Sequence, residues 1–238
     1  MAEGRGRRRG RASGSLRQAK LDFPAGWGGR REGAGRKPKG ERPGVSHRAR
    51  PRLSSRFPVH VTLRLRRGLP SLRRRAEHRA VVAAFAAGCQ RGGFRLVQYS
   101  VQANHLHLIA EASGRSALAR GLQGLAVRIA RGLNGLWGRA GSVFADRYHE
   151  HVLKTPREVW NALRYVLCNA RKHGGWVSRV RPDPCSSSAW FDGWRDAPAL
   201  LAPGPGAEPG PVARARTWLL RKGWRRHGLL RLDALPGG

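Results

Sequence analysis

The chain predicts an α+β fold: an antiparallel, ferredoxin-like split βαβ sheet with one added helix, preceded by a basic disordered arm. Three observations carry this. Segments that alternate or are rich in β-branched residues are interleaved with segments whose apolar residues recur at helical spacing, in the order β-α-β-β-α-β-α. Two of the strand-like runs are separated only by Ala103-Asn104, the length of a hairpin turn. Residues 1–56 hold 17 Lys+Arg against 4 Asp+Glu, a net +13, with many Gly and few large apolar side chains. Such a stretch buries too little apolar surface to repay its ordering entropy.

The elements follow in turn. Val59-His-Val-Thr-Leu-Arg-Leu65 alternates and is β-branched, which makes it a strand. Ala76 to about Gln90 carries Val81, Val82, Phe85 and Ala86 at helical spacing and stops at Gly92-Gly93. Phe94 to Gln102 is a second strand and His105 to Ala112 a third. Ser116 to Trp137 is a long helix, with Leu118, Leu122, Leu125, Ile129 and Leu133 on one side. Ser142 to Leu153 alternates again as a fourth strand. In the next helix Thr155 suits the N-cap, Pro156 the first helical position and Glu158 a capping box, with Gly174 placed to close the far end. From Pro182 on, Pro and Gly break the pattern. Trp190, Phe191 and Trp194 are expected to pack back, 202–211 to be a linker, and Val212 to Leu230 to form a short basic helix or two. The organisation is therefore 1–56 as arm, 57–178 as folded domain and 179–238 as a Trp/Arg-rich extension.

Charge narrows the partner. The 238 residues contain 47 Lys+Arg and 14 Asp+Glu, a formal +33. A surface this basic binds polyphosphate by releasing condensed counterions, and arginine adds bidentate contacts to phosphate. No amphipathic apolar stripe in the basic segments suits an anionic membrane, so nucleic acid is the expected partner. No run of about 18 apolar residues exists for a membrane span. The positive start is followed by no apolar stretch of a secretion signal, and Cys89, Cys168 and Cys185 show no CxxC spacing. A cytoplasmic protein with reduced thiols is expected.

Chemistry concentrates in two places. His105 and His107 lie one residue apart in a strand, so their imidazoles share a face while Leu106 and Leu108 take the other. Two neutral imidazoles with open positions can hold Mg²⁺, Mn²⁺ or Zn²⁺, although a wet strand face carries such a pair without any metal. On the capped helix, Val159, Leu163, Val166 and Ala170 form the apolar stripe. Asn161, Tyr165 and Asn169 line a different side at four-residue intervals. An amide oxygen is a hard ligand, and a phenol is a nucleophile when its proton can leave. The plain alternative is a half-buried tyrosine bonded to a backbone carbonyl. His149 and His151 form a rival pair on one strand face, as ligands, as their supports or as DNA contacts, with Tyr148 pointing opposite.

Residues 58–175 resemble the single-tyrosine HUH transposases of the REP-associated and insertion-sequence type. The resemblance rests on Gln102-Ala-Asn-His-Leu-His-Leu108, on Phe144-Ala-Asp-Arg-Tyr-His-Glu-His151 and on Arg164-Tyr-Val-Leu-Cys-Asn-Ala-Arg-Lys-His173. It covers about half the chain and neither the arm nor the tail. It implies that His105, His107 and Asn169 hold Mg²⁺ or Mn²⁺ and that Tyr165 is the nucleophile. Where relatives often have Gln, Asn169 is one methylene shorter, and Tyr148 is the competing nucleophile. The implied reaction cleaves and rejoins hairpin-flanked single-stranded DNA through a 5′-phosphotyrosine, and the resemblance allows a homodimer. Two other readings stand beside it: a nucleic-acid-binding relic without catalysis, and a metal-dependent nuclease in which water attacks. A replication initiator or relaxase is a weaker third, because such chains usually carry more catalytic tyrosines or a helicase domain.

Overall fold

The computed structural model describes residues 50–169, 182–195 and 210–232. The chain separates into two units, Met1–Pro43 and Gly44–Gly238, and every described residue belongs to the second. Most of the basic arm, the expected helix end at Gly174 and nearly all of the 202–211 linker therefore lie outside the described residues.

The strands are β1 (Val59–Arg64), β2 (Gln90–Arg91), β3 (Phe94–Val101), β4 (His105–Ala112) and β5 (His149–Val152). They form one five-stranded sheet in the order β2-β3-β4-β1-β5, with every neighbouring pair antiparallel. Helix α1 (Arg75–Gly88) follows β1, α2 (Arg115–Leu136) follows β4, and α3 (Pro156–Cys168) follows β5. This is the α+β architecture the residue pattern implies. The chain order β1-α1-β3-β4-α2-β5 leaves β1 in the interior, flanked by β4 and β5.

Alternation along β1 and β4 separates two cores. Val59, Val61, Leu63, Leu106, Leu108 and Ala110 pack with Val81 and Phe85 of α1 and with Leu118, Leu122, Leu125, Ile129 and Leu133 of α2. Close approach here requires glycine at one point: a Cβ on Gly121 of α2 would overlap the Phe94 ring. The second core lies on the other face. Ile109 and Val97 meet Val159, Leu163, Val166 and Leu167 of α3, together with Phe191, Trp194, Leu219, Leu220, Trp224 and Leu230.

Three details differ from the residue pattern. Residues ahead of Phe57 already contact the sheet domain: Leu53 is buried in the first core, and Arg50 pairs with Glu150 at 3.3 Å. The short strand β2 pairs with the start of β3 across Gly92 and Gly93, both at positive φ, and two residues carry too little periodicity to read. The expected strand over Ser142 to Leu153 is regular only from His149 to Val152. Ahead of it Phe144 bridges Leu65, and the chain then bends where Asp146 Oδ1 accepts the Arg147 N–H.

Phe191 and Trp194 pack back into the second core as expected, whereas Trp190 is exposed. Helix α4 is a single turn (Trp218–Arg221), and 3₁₀ turns run over Ser187–Trp190 and Gly223–His227. The start of α4 is anchored by Glu111, a fully buried carboxylate on β4. It accepts bonds from Arg95 Nε (3.0 Å) and Nη2 (2.8 Å) and from the backbone N–H groups of Arg216 and Thr217. Trp160 Nε1 of α3 donates to Gly228 O at 3.0 Å, so the extension also grips that helix. No helix among the described residues is long and apolar enough to cross a membrane.

Candidate active site

Strand register gathers the histidines. Arg64 faces His105, Thr62 faces both His107 and His149, and His60 faces both Ile109 and His151. Directly opposed residues of antiparallel strands project to the same side. His60, Thr62, His105, His107, His149 and His151 therefore share the face that carries the second core. The two histidine pairs distinguished in the sequence are neighbours on one surface, with His60 and Thr62 between them.

His105 and His107 point their Nε2 atoms at each other, 3.0 Å apart. Each ring is held at its other nitrogen. Asn104 Oδ1 lies 2.8 Å from His105 Nδ1, while Thr62 Oγ1 and His60 Nε2 each lie 3.2 Å from His107 Nδ1. An oxygen acceptor at Nδ1 places the His105 proton there and leaves its Nε2 lone pair facing His107. His60 is pressed between the strand face and α3. Burial, and secondarily the charge of nearby His151, lower its pKa to about 4, so it is a neutral imidazole near pH 7.

The capping box seats α3. Thr155 Oγ1 accepts from the Glu158 N–H at 3.2 Å, and Glu158 Oε2 accepts from the Thr155 N–H at 3.0 Å, with Pro156 opening the helix. From this base Tyr165 reaches the histidines. Its ring centroid lies 5.0 Å from that of His107 and 5.8 Å from that of His60, edge-on to both. A cleft of about 410 Å³ opens beside it, lined by His60, His151, Glu158, Asn161, Arg164 and Tyr165. The Arg164 guanidinium lies over the Trp160 ring at 4.8 Å.

Of the three tyrosines, Tyr165 is the one beside the histidines. Tyr148 packs against the first core, with Arg50 stacked over its ring at 3.8 Å. Tyr99 is buried beside Phe85, and loss of solvent pushes its hydroxyl pKa up. Asn169 follows Tyr165 by one turn as the C-cap of α3. It is fully buried, and among the described residues neither its amide oxygen nor its amide nitrogen has a hydrogen-bond partner. A buried amide with no partner costs about 1–3 kcal/mol, which makes Asn169 a side chain in want of a ligand.

Among the described residues no three His, Cys, Asp or Glu side chains form a cluster able to hold a metal ion. By donor type the residues suit such an ion: two imidazole nitrogens face one another, and Asn169 at the end of α3 carries a hard amide oxygen without a partner among the described residues. Sequence reading quoted Asn104 within the motif without a role for it and missed His60 and Thr62. The alternation of His60 and Thr62 in Val59–Arg64 mirrors that of His105 and His107, but nothing in the chain states which strand lies beside which.

No family model and no curated protein matches the sequence. Among solved structures the fold is similar to that of the REP-associated tyrosine transposase bound to a REP hairpin. The match has 16% sequence identity and a TM-score of 0.51, and it covers 72% of this chain and 99% of that one. The likeness is one of fold.

Proposed function

We propose that this protein is a DNA transesterase on a ferredoxin-like sheet, which cleaves and rejoins hairpin-flanked single-stranded DNA through a 5′-phosphotyrosine on Tyr165. The observation that carries the reading is the placement of the Tyr165 ring 5.0 Å from His107, whose Nε2 faces that of His105 at 3.0 Å. The fold likeness to a hairpin-bound tyrosine transposase supports the substrate class. So does the formal charge of +33, which favours a polyphosphate partner.

In this reading His105, His107 and Asn169 would hold Mg²⁺ or Mn²⁺. Bound there, the ion would supply Lewis-acid stabilisation of charge on the scissile phosphate. The Tyr165 oxygen forms a bond to phosphorus as the P–O3′ bond breaks, and the phenolic proton ends on the leaving 3′-oxygen. The phosphate ester persists on the tyrosine, so a second 3′-hydroxyl can displace the phenol and rejoin strands without ATP. Asn104 and Thr62 keep the imidazoles aimed, and the cleft beside Tyr165 offers Asn161, Arg164 and His151 to the nucleotides around the scissile bond.

A hairpin-binding protein that no longer cleaves is the second reading. The proposed third ligand, Asn169, is an amide and a weaker donor than a carboxylate, and no three His, Cys, Asp or Glu cluster for a metal among the described residues, which favours it. Covalent trapping separates the readings. The protein is mixed with 5′- or 3′-labelled hairpin single strands and Mn²⁺, then run on denaturing gels. A metal-dependent adduct on wild type that is lost in Tyr165→Phe and kept in Tyr148→Phe supports the transesterase. Cleavage without an adduct points to a nuclease in which water attacks, and binding with neither points to the relic.

A further inference from the structure

The hydrogen bonds around His107 form a chain that can run in two directions. A neutral imidazole carries one N–H, at Nδ1 or at Nε2. Asn104 Oδ1, 2.8 Å from His105 Nδ1, puts the His105 proton on Nδ1. The bare Nε2 of His105 then faces His107 Nε2 at 3.0 Å. Two lone pairs at that distance repel, so in the cation-free protein His107 carries its proton on Nε2 and donates it to His105. Its Nδ1 is then an acceptor, 3.2 Å from both His60 Nε2 and Thr62 Oγ1. Filling that acceptor from His60 requires the His60 proton on Nε2. Each bond of the series His60→His107→His105→Asn104 then has one donor and one acceptor.

A cation shared by His105 and His107 needs both Nε2 lone pairs, which the cation-free arrangement denies it. His107 must move its proton to Nδ1, where it needs an acceptor. Thr62 Oγ1 serves in either direction because a hydroxyl both donates and accepts. His60 Nε2 serves only if the His60 proton also moves, from Nε2 to Nδ1. Were it to stay, two N–H groups would face each other across 3.2 Å.

We propose that His60 is the positioning residue of the histidine pair: it exchanges tautomer in step with His107 when a divalent cation enters, so that both Nε2 lone pairs face the ion. The inference rests on the cation reading given above. Protons balance. His107 loses one at Nε2 and gains one at Nδ1, His60 does the same, His105 is unchanged, and no ring changes charge. Neither side chain need move. The ring contact between His60 and Tyr165, 5.8 Å between centroids, places this exchange against the proposed nucleophile.

The test is read without DNA. The full chain, labelled with ¹⁵N in its imidazoles, is examined by long-range ¹H–¹⁵N NMR with and without saturating Mg²⁺. The expected result is His107 and His60 as Nε2–H tautomers in EDTA and as Nδ1–H tautomers with Mg²⁺, while His105 stays Nδ1–H throughout. Mn²⁺ affinity is measured in parallel by electron paramagnetic resonance. His60→Ala is expected to weaken it by about tenfold or more, the usual cost of losing a partner behind a ligating histidine. His60→Gln, whose amide can turn to donate or accept, is expected to recover most of that loss. If His107 keeps its tautomer and the Nε2 resonance of His105 does not shift with Mg²⁺, the cation reading itself is lost. If they respond while His60 keeps one tautomer, or if His60→Ala binds Mn²⁺ as wild type does, the role of His60 alone is overturned. The wild-type spectra decide the matter even where His60→Ala folds poorly.

Discussion

The two faces of the sheet are built from alternate residues of the same strands, yet they are different materials. Towards α1 and α2, β1 and β4 present Val59, Val61, Leu63, Leu106, Leu108 and Ala110, all buried and apolar. Towards α3 the residues between them are His60, Thr62, His105, His107, Ile109 and Glu111, of which only Ile109 is apolar. Strand periodicity makes this separation possible: packing fixes the backbone from one side, while polar side chains are held in register on the other. A one-residue slip of β4 would put Leu106 and Leu108 under α3 and the imidazoles into the apolar core. The first face thus specifies the pairing on which the second depends.

The sharpest separation of the faces is expected from Tyr165→Phe. One hydroxyl is removed from a side chain at the edge of the second core. Covalent adduct and cleavage should fall by at least about a thousandfold, as loss of an essential nucleophile implies. The melting temperature and hairpin affinity should stay near wild type. Residual cleavage in this variant would remove Tyr165 as the nucleophile.

Glu111 tests whether the polar face is purely functional. It lies on that face but serves the fold, because its carboxylate is fully buried and gathers Arg95 and the N–H groups of Arg216 and Thr217. Glu111→Ala would strand a guanidinium and two amides, and losing one member of a buried pair costs about 3–5 kcal/mol. Urea unfolding should register that loss. A variant as stable as wild type would mean that the C-terminal stretch holds to β4 by its Trp and Leu contacts alone. Leu108→Ala, on the opposite face, removes a fully buried side chain from the first core. It should cost about 2–5 kcal/mol, whereas His107→Ala next to it should cost less stability and abolish cleavage. Equal destabilisation by the two would contradict the division between faces.

Much of this was legible in the chain because it is written in local periodicity. The alternation of Val59–Arg64, the helical spacing of Leu118 to Leu133 and the Thr155-Pro156-Glu158 start all reflect forces acting within a few residues. The same holds for the shared face of His105 and His107. What was not legible depends on register. That Thr62 lies opposite His107, and His60 opposite His151, follows from β1 pairing between β4 and β5. Sequence shows each strand and not its neighbour. The grip of Glu111 on Arg216 and Thr217 spans more than a hundred residues and leaves no periodic trace. Asn169 was singled out by its spacing from Tyr165; only the packed structure reveals that its amide is buried without a partner among the described residues.

The smallest effect belongs to the element that joins the faces. Helix α3 is packed by Val159, Leu163 and Val166 and carries Tyr165, and its first turn is fixed by the reciprocal bonds of Thr155 and Glu158. Thr155→Ala removes one acceptor from the N-terminus of α3 and leaves the apolar stripe intact. Loss of such a cap costs about 1 kcal/mol. Since α3 is also held by the Trp160–Gly228 bond and by Trp224, that loss should appear as a modest fall in melting temperature with cleavage largely kept. Should cleavage fall much more than stability, the tyrosine would depend on the helix's first turn for its aim. The packing of α3 on the sheet would then hold Tyr165 less firmly than its position beside His107 implies.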